Sequence, residues 1–149
     1  MAFKLGLNAK LYRDTGSAWD LVGNVKNLTL NMDKSEADVT TRANNGWKAN
    51  IAALKDASVE FDMVYDLADT DMTTLLAAFL ADTSIRFIVM DGLLDVAAAG
   101  SQGLQASFMI NKFTIPQNLE EAIMCNVSMK PTYAAVAPAW VSSPITWAA

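Results

Sequence analysis

The chain contains no histidine. That removes the commonest general base, the commonest metal ligand, and every Ser–His or Cys–His nucleophile pair. It has a single cysteine, Cys125, so no intrachain disulfide can form and the fold does not depend on an oxidising compartment. No cluster or stripe of Lys and Arg is present, which argues against a grip on DNA phosphates. The longest apolar run, residues 75–81, is far short of the roughly 20 residues needed to span a bilayer, so no membrane partner is expected. The opening MAFKLGLNAKLYR lacks an extended apolar core and a small-residue cleavage site, so synthesis and folding in a cytoplasm are expected. Walker loop, dinucleotide fingerprint, zinc spacing and nucleophile elbow are also missing. Neither cofactor nor metal is expected, and catalysis is not.

What is present is one domain's worth of chain, 149 residues, rich in apolar side chains. Apolar residues make up 52% and the mean hydropathy is +0.20, high for a free monomer of this size. Some of its surface is therefore expected to be covered by other subunits. The net charge of −5 is unevenly spread: residues 1–57 carry 8 Lys/Arg and 6 Asp/Glu, residues 58–149 carry 3 and 10. A mildly basic leading third and an acidic remainder suit head-to-tail attraction between copies.

Periodicity places the elements. Leu5, Leu7, Ala9 and Leu11 alternate with polar residues or glycine as in a half-buried strand. A turn at residues 14–17 and a second strand at residues 19–22 then complete a hairpin. Leu28, Leu30 and Met32 alternate as another strand, and the phase of Val25 calls for a bulge near Lys26-Asn27. Residues 33–57 are polar without a sustained period and read as a long inter-strand loop. Trp47 within it needs something to pack on, either a partner surface or the loop's own barrel. Val59, Phe61, Met63 and Tyr65 mark a strand with one apolar face and one largely acidic face. Asp69 or Thr70 caps a helix from Asp71 to about Ala81, with Met72, Leu75, Leu76, Phe79 and Leu80 as its packing stripe. Residues 85–90, IRFIVM, suit a strand covered on both faces. Strands through Leu104–Ile110 and Ile123–Met129 follow, the second closed by Pro131. The uncharged tail, with Trp140 and Trp147, is expected to dock on a neighbour. The sum is a mainly β fold: a small β-sandwich or barrel of about seven strands with one flanking helix.

Few residues invite chemistry. Asp66, Asp69 and Asp71 form the densest acidic cluster but lack the glycine and distal glutamate of a calcium loop, so capping is the better account. Cys125 falls on a core-facing strand position and reads as an inert small hydrophobe. Glu120 and Glu121 point in different directions and make no catalytic pair. Asn27-Leu-Thr and Asn126-Val-Ser match the glycosylation pattern only by accident, given the expected compartment.

The order of elements resembles the major tail tube protein of long-tailed bacteriophages. The most telling stretch is Asp38-Val39-Thr40-Thr41-Arg42, then Asn45-Gly46-Trp47, running on to Ser58-Val59-Glu60-Phe61. It is similar to the family's D-V-T-x-R … G-W … L-x-x-x-S passage. The resemblance covers residues 1–135 and leaves residues 136–149 as a C-terminal arm. It implies a structural virion protein, made in the host bacterium, whose hexameric rings stack head to tail into a tube for DNA passage. The implied partners are further copies of itself, other tail proteins at the tube ends, and DNA that passes without specific binding. The long loop would then reach the adjacent ring, with Val39, Arg42, Trp47 and Ile51 as stacking candidates. Glu60, Asp62 and Asp66 would be candidates for an acidic lumen, and Trp140 and Trp147 for contacts of the arm. Other readings stay open: the inner tube of a contractile injection machine, a monomeric barrel with a ligand cavity lined by Phe61, Phe87 and Phe108, and, more distantly, a carboxylate enzyme.

Overall fold

The computed structural model describes residues 6, 9–66, 68–94, 101–117, 119, 122–134, 136–143 and 145–147. Leu5, Leu7, Glu120 and Glu121, named above, lie outside the described residues. Among the described residues, eight strands and one α-helix follow in the order β1 (Lys10–Asp14), β2 (Trp19–Leu21), β3 (Val25–Asp38), β4 (Asn50–Val64), α1 (Thr70–Ala81), β5 (Ser84–Met90), β6 (Gln102–Thr114), β7 (Met124–Pro131) and β8 (Ala139–Ser142). The strands make one antiparallel sheet in the order β2-β1-β5-β6-β7-β4-β3, with β8 paired to β6 off that path. The sheet curls into a half-barrel, the mainly β architecture that periodicity indicates.

The main core lies between the sheet's inner face and α1. Val59, Phe61 and Met63 of β4, Phe87 and Val89 of β5, Ala106, Phe108 and Ile110 of β6, and Cys125, Val127 and Met129 of β7 all enter it. Each set is spaced by two, so one pleat face of four strands is apolar. Met72, Leu75 and Ala78 of α1 close it from the other side at helical spacing. Phe87 and Phe108 meet edge to face at 6.1 Å and are fully buried, so these rings are core and not the lining of a ligand cavity. Cys125 is likewise buried, and burial pushes its thiol pKa up, which keeps it unreactive.

The double-sided burial expected of IRFIVM is real. Phe87 and Val89 face the main core, while Ile88 and Met90 join Tyr12 and Leu94 in a second cluster on the opposite face. Val141 and Ile145 of the C-terminal segment cover that second cluster. Asp69 caps α1, its side chain accepting the Asp71 N–H at 3.2 Å. Asp71 itself turns inward and pairs with Arg13 at 2.8 Å, tying α1 to β1. Burial holds the Asp71 carboxyl above its ordinary pKa in spite of that guanidinium.

The first strand begins at Lys10, later than the alternation from Leu5 suggests, and runs to Asp14. Two further expectations need correction. Residues 33–57 are not a long loop. β3 and β4 continue through them as a paired ribbon, from Leu30↔Val59 out to Asp38↔Asn50, and only residues 39–49 connect the two strands. β7 supports β4 only over Val59–Val64, so the ribbon projects beyond the sheet by eight strand steps, roughly 27 Å. Apolar alternation comes from burying one face, and neither face of this ribbon is buried within the chain, so the period vanished with the burial. The bulge expected near Lys26-Asn27 is present, with Asn27 at φ 52° and a register shift between Lys26 and Thr29. The second correction concerns the tail: it folds back on its own chain as β8, in place of docking wholly on a neighbour.

Candidate functional site

The ribbon's tip is built to hold one shape. Asp38 accepts from the Thr40 amide at 2.9 Å and from its hydroxyl at 2.5 Å, and that hydroxyl in turn accepts the Ala49 N–H at 2.9 Å. Val39 N–H reaches Ala49 O at 2.9 Å, closing the ribbon. These bonds hold the Asp38 carboxyl below its ordinary pKa, the Thr40 hydroxyl foremost. Arg42–Asn44 then form one 3-10 turn, ended by Asn45 and Gly46, both in the left-handed region at φ 53° and 83°. The Asp-x-Thr and Asn-Gly elements of the sequence are therefore the tip's lock and corner, and they present Trp47 outward.

Trp47 is 78% exposed, Leu54 78%, Met32 56% and Ile51 55%, with Val39 also exposed. So many large apolar side chains on one thin projection make an unpaired interaction surface. A two-stranded ribbon is marginal on its own in water, which adds a second reason for it to be covered. Leu54 and Met32 are not among the stacking candidates that the sequence offers. The observation that finds them is the ribbon's projection, which leaves both without a core to join.

Of the acidic candidates, Glu60 and Asp62 share the outer face of β4, turned away from the core. The Asn27 side-chain amide donates to Asp62 at 3.0 Å, and a shallow groove of about 400 Å³ runs beside them. Asp66 does not belong with them. It lies past the end of β4, where its carboxylate accepts the Ala68 N–H at 2.9 Å and starts the turn into α1. The outer face is also less acidic than its sequence suggested, since Lys26 stands opposite Asp62 and Lys112 lines the same groove.

The two C-terminal tryptophans diverge. Trp147 is an internal latch: its indole N–H donates to Asp14 at 2.6 Å, and Arg86 pairs with the same carboxylate at 2.9 Å. The Arg86 guanidinium stacks over Trp19 at 4.8 Å and Trp147 at 5.9 Å. Burial raises the Asp14 carboxyl, but the Gly16 amide, the Trp147 indole and Arg86 outweigh it and hold the group below its ordinary pKa. Trp140 satisfies its indole N–H on Gln102 at 3.0 Å and stays half exposed. It borders a groove of about 730 Å³ between the ribbon's base and β8, lined also by Met32, Asp33, Lys34, Lys55, Asp56 and Ala57.

No grouping of three or more metal-ligating side chains occurs among the described residues, and no described helix is long and apolar enough to cross a membrane. Against known families, residues 9–134 match the model of the phage tail tube protein family. The chain belongs to the phage tail tube protein family.

Solved structures share the tail tube fold. A chain of the native gene transfer agent virion is 17% identical with a TM-score of 0.72, covering 93% of this chain and 99% of that one. A chain from the tail of the empty gene transfer agent particle, refined helically with C6 symmetry, is 20% identical with a TM-score of 0.70, covering 89% and 96%. The SPP1 tail tube protein is 14% identical with a TM-score of 0.67, covering 86% and 75%. No curated protein matches the sequence. As a tail tube protein, the chain is a structural component of the virion tail.

Proposed function

We propose that this tail tube protein assembles into hexameric rings that stack head to tail, forming a channel through which DNA passes without being held. The carrying observation is the β3–β4 ribbon, a projection of roughly 27 Å whose locked tip exposes Trp47 and whose flanks expose Met32, Ile51 and Leu54. In a heterologous contact, a projection on one copy enters a different surface on the next, which closes as a ring around an axis or runs on as a filament along it. Val39, Arg42, Trp47 and Ile51 serve as stacking contacts in this reading. C6 symmetry in the gene transfer agent tail supports six as the ring number. The subunits are made in the host cytoplasm, have no catalytic role, and meet other tail proteins at the tube ends.

The lumen is assigned to the outer face around Glu60 and Asp62, where β4 joins β7 and β7 joins β6, and not to the projecting ribbon. The amides, hydroxyls and paired charges of that face offer DNA no continuous basic track. A second reading, the inner tube of a contractile injection machine, draws support from a TM-score of 0.57 to a chain of the anti-feeding prophage baseplate, at 6% identity and covering 92% of this chain and 93% of that one.

Negative-stain microscopy of the purified full chain tests the proposal. Six-fold rings or tubes with a stained central channel are expected. A strictly monomeric species at high concentration, without rings or tubes, overturns it.

A further inference from the structure

The ribbon carries an unusual charge arrangement. In the β3–β4 register, Asp33 stands directly opposite Asp56, and on the next rung Lys34 stands directly opposite Lys55. Directly opposed side chains in an antiparallel pair have Cβ atoms about 4.5–5.5 Å apart, and like charges there repel. Exchanging two of the four residues would have made two attractive pairs at no cost to the backbone. Successive residues of a strand point to opposite faces, so the two carboxylates stand on one face and the two ammonium groups on the other. Asp56 accepts the neighbouring Ala57 N–H, and among the described residues none of the four has an ion-pair partner.

The surroundings of the two faces match each other. Ala37 and Ile51, opposite one another nearer the tip, continue the acidic face, and Ile51 is exposed. The groove of about 730 Å³ at the ribbon's base is lined by all four charged residues, with Met32, Ala57 and Trp140 in its apolar wall. Met32 and Ala57 are paired two rungs from Lys34 and Lys55, on the same face. One face thus offers two carboxylates and an aliphatic side chain. The other offers two ammonium groups beside the apolar pair Met32 and Ala57.

We infer that the ribbons of neighbouring copies pack face to face, with Asp33 and Asp56 of one copy seated on Lys34 and Lys55 of the next. The occupant of the Trp140 groove is a second copy of this chain, and its Asp33 and Asp56 face is what enters. The contact joins two different patches, so it propagates around a ring from each subunit to the next. Each like-charged pair, repulsive in the lone chain, becomes half of a four-charge cluster of zero net charge. That arrangement disfavours the free ribbon and favours the assembled one, and it rejects a reversed docking that would oppose like faces. The inference rests on the self-assembly reading and specifies which surfaces meet.

Charge reversal tests it, using the full chain. K34E/K55E carries acids on both faces and D33K/D56K carries bases on both, so every contact within either protein alone is repulsive. Each is expected to stay unassembled at concentrations at least tenfold above the wild-type threshold, by sedimentation velocity and microscopy. Mixed in equal amounts, the two can alternate around an even-numbered ring with complementary charges at every contact, and assembly is expected to return. The fourfold exchange D33K/D56K/K34D/K55D restores complementarity within one protein and is expected to assemble by itself. Far-UV circular dichroism and thermal melts establish that each variant is folded.

Wild-type-like assembly of either double variant overturns the inference while leaving the tube reading intact. Loss of assembly without rescue in both the mixture and the fourfold exchange also overturns it. If K34E/K55E assembles normally but loses retention of duplex DNA shown by the wild type, the basic face serves a polyanion and the proposed contact is wrong. A wild type that never assembles overturns the inference and the function together.

Discussion

Replacing Trp47 by alanine separates assembly from folding most cleanly. The side chain sits on a tip held by the Asp38–Thr40–Ala49 bonds and by the left-handed pair Asn45-Gly46, and it joins no buried cluster. Its 78% exposure corresponds to about 120–190 Å² of the 150–250 Å² that such an aromatic buries when covered. Covering that area at ~25 cal/mol per Å² is worth about 3–5 kcal/mol before ordering costs. Truncating an aromatic anchor of an interface costs about 2–4 kcal/mol. The pre-formed tip keeps the ordering cost small, because the backbone gives up little freedom on docking. The threshold concentration for assembly, read by light scattering and sedimentation, should therefore rise about 30- to 1,000-fold, at about tenfold per 1.4 kcal/mol. The melting temperature of the unassembled protein should not move. Assembly at the wild-type threshold refutes the reasoning that Trp47 is an inter-ring anchor. A lowered melting temperature refutes the reasoning that it is idle in the lone chain.

Asp71→Asn leaves Arg13 buried with only Asp20, 3.8 Å away, so stability should fall by about 3 kcal/mol and the melting temperature by about 6–12 °C; an unchanged melt means the pair contributes nothing. A Cβ at Gly103 would lie 1.8 Å from the Val89 carbonyl oxygen, so Gly103→Ala must push β5 from β6, costing at least about 2–3 kcal/mol and giving little soluble protein; normal yield and melting contradict that packing. The lowered Asp14 pKa makes its latch a stabilising contribution that is complete above the unfolded value of about 3.9. It is lost as pH falls through the still lower folded value. Tryptophan fluorescence should therefore report release of Trp147 below about pH 4. Asp14→Asn should flatten that acid transition; a variant titrating like the wild type excludes Asp14 as the cause.

Sequence patterning was legible where one face of an element is buried and the other is wet. Val59-Phe61-Met63 and Cys125-Val127-Met129 alternate because their inward residues fill the core, and Met72, Leu75 and Ala78 recur at helical spacing because α1 lies on it. IRFIVM read as covered on both sides because it is, although the source of the second cover, Val141 and Ile145, carried no signal of its own. The ribbon read as a loop for the opposite reason. From Asp33 to Asp38 and from Asn50 to Asp56 both faces are exposed in the single chain, so neither was selected to be apolar. In the proposed assembly its covering surfaces belong to other subunits, and a partner's contribution leaves no period in the chain that lacks it. Trp47 stands out by its size as a contact candidate, while the exposure of Met32 and Leu54 follows from the projection. Asp66 was misplaced by one structural step: it continues the alternation of Glu60 and Asp62 on paper, but β4 ends at Val64.

The central claim is that the β3–β4 ribbon joins subunits into a tube. A helical cryo-EM reconstruction of the assembled full chain tests it directly. The account predicts six subunits per ring, each ribbon in contact with neighbouring copies, Trp47 covered by the adjacent ring, and the Glu60 and Asp62 face turned to the channel. A tube whose ribbons project into solvent, with Trp47 as exposed as in the single chain, would contradict it.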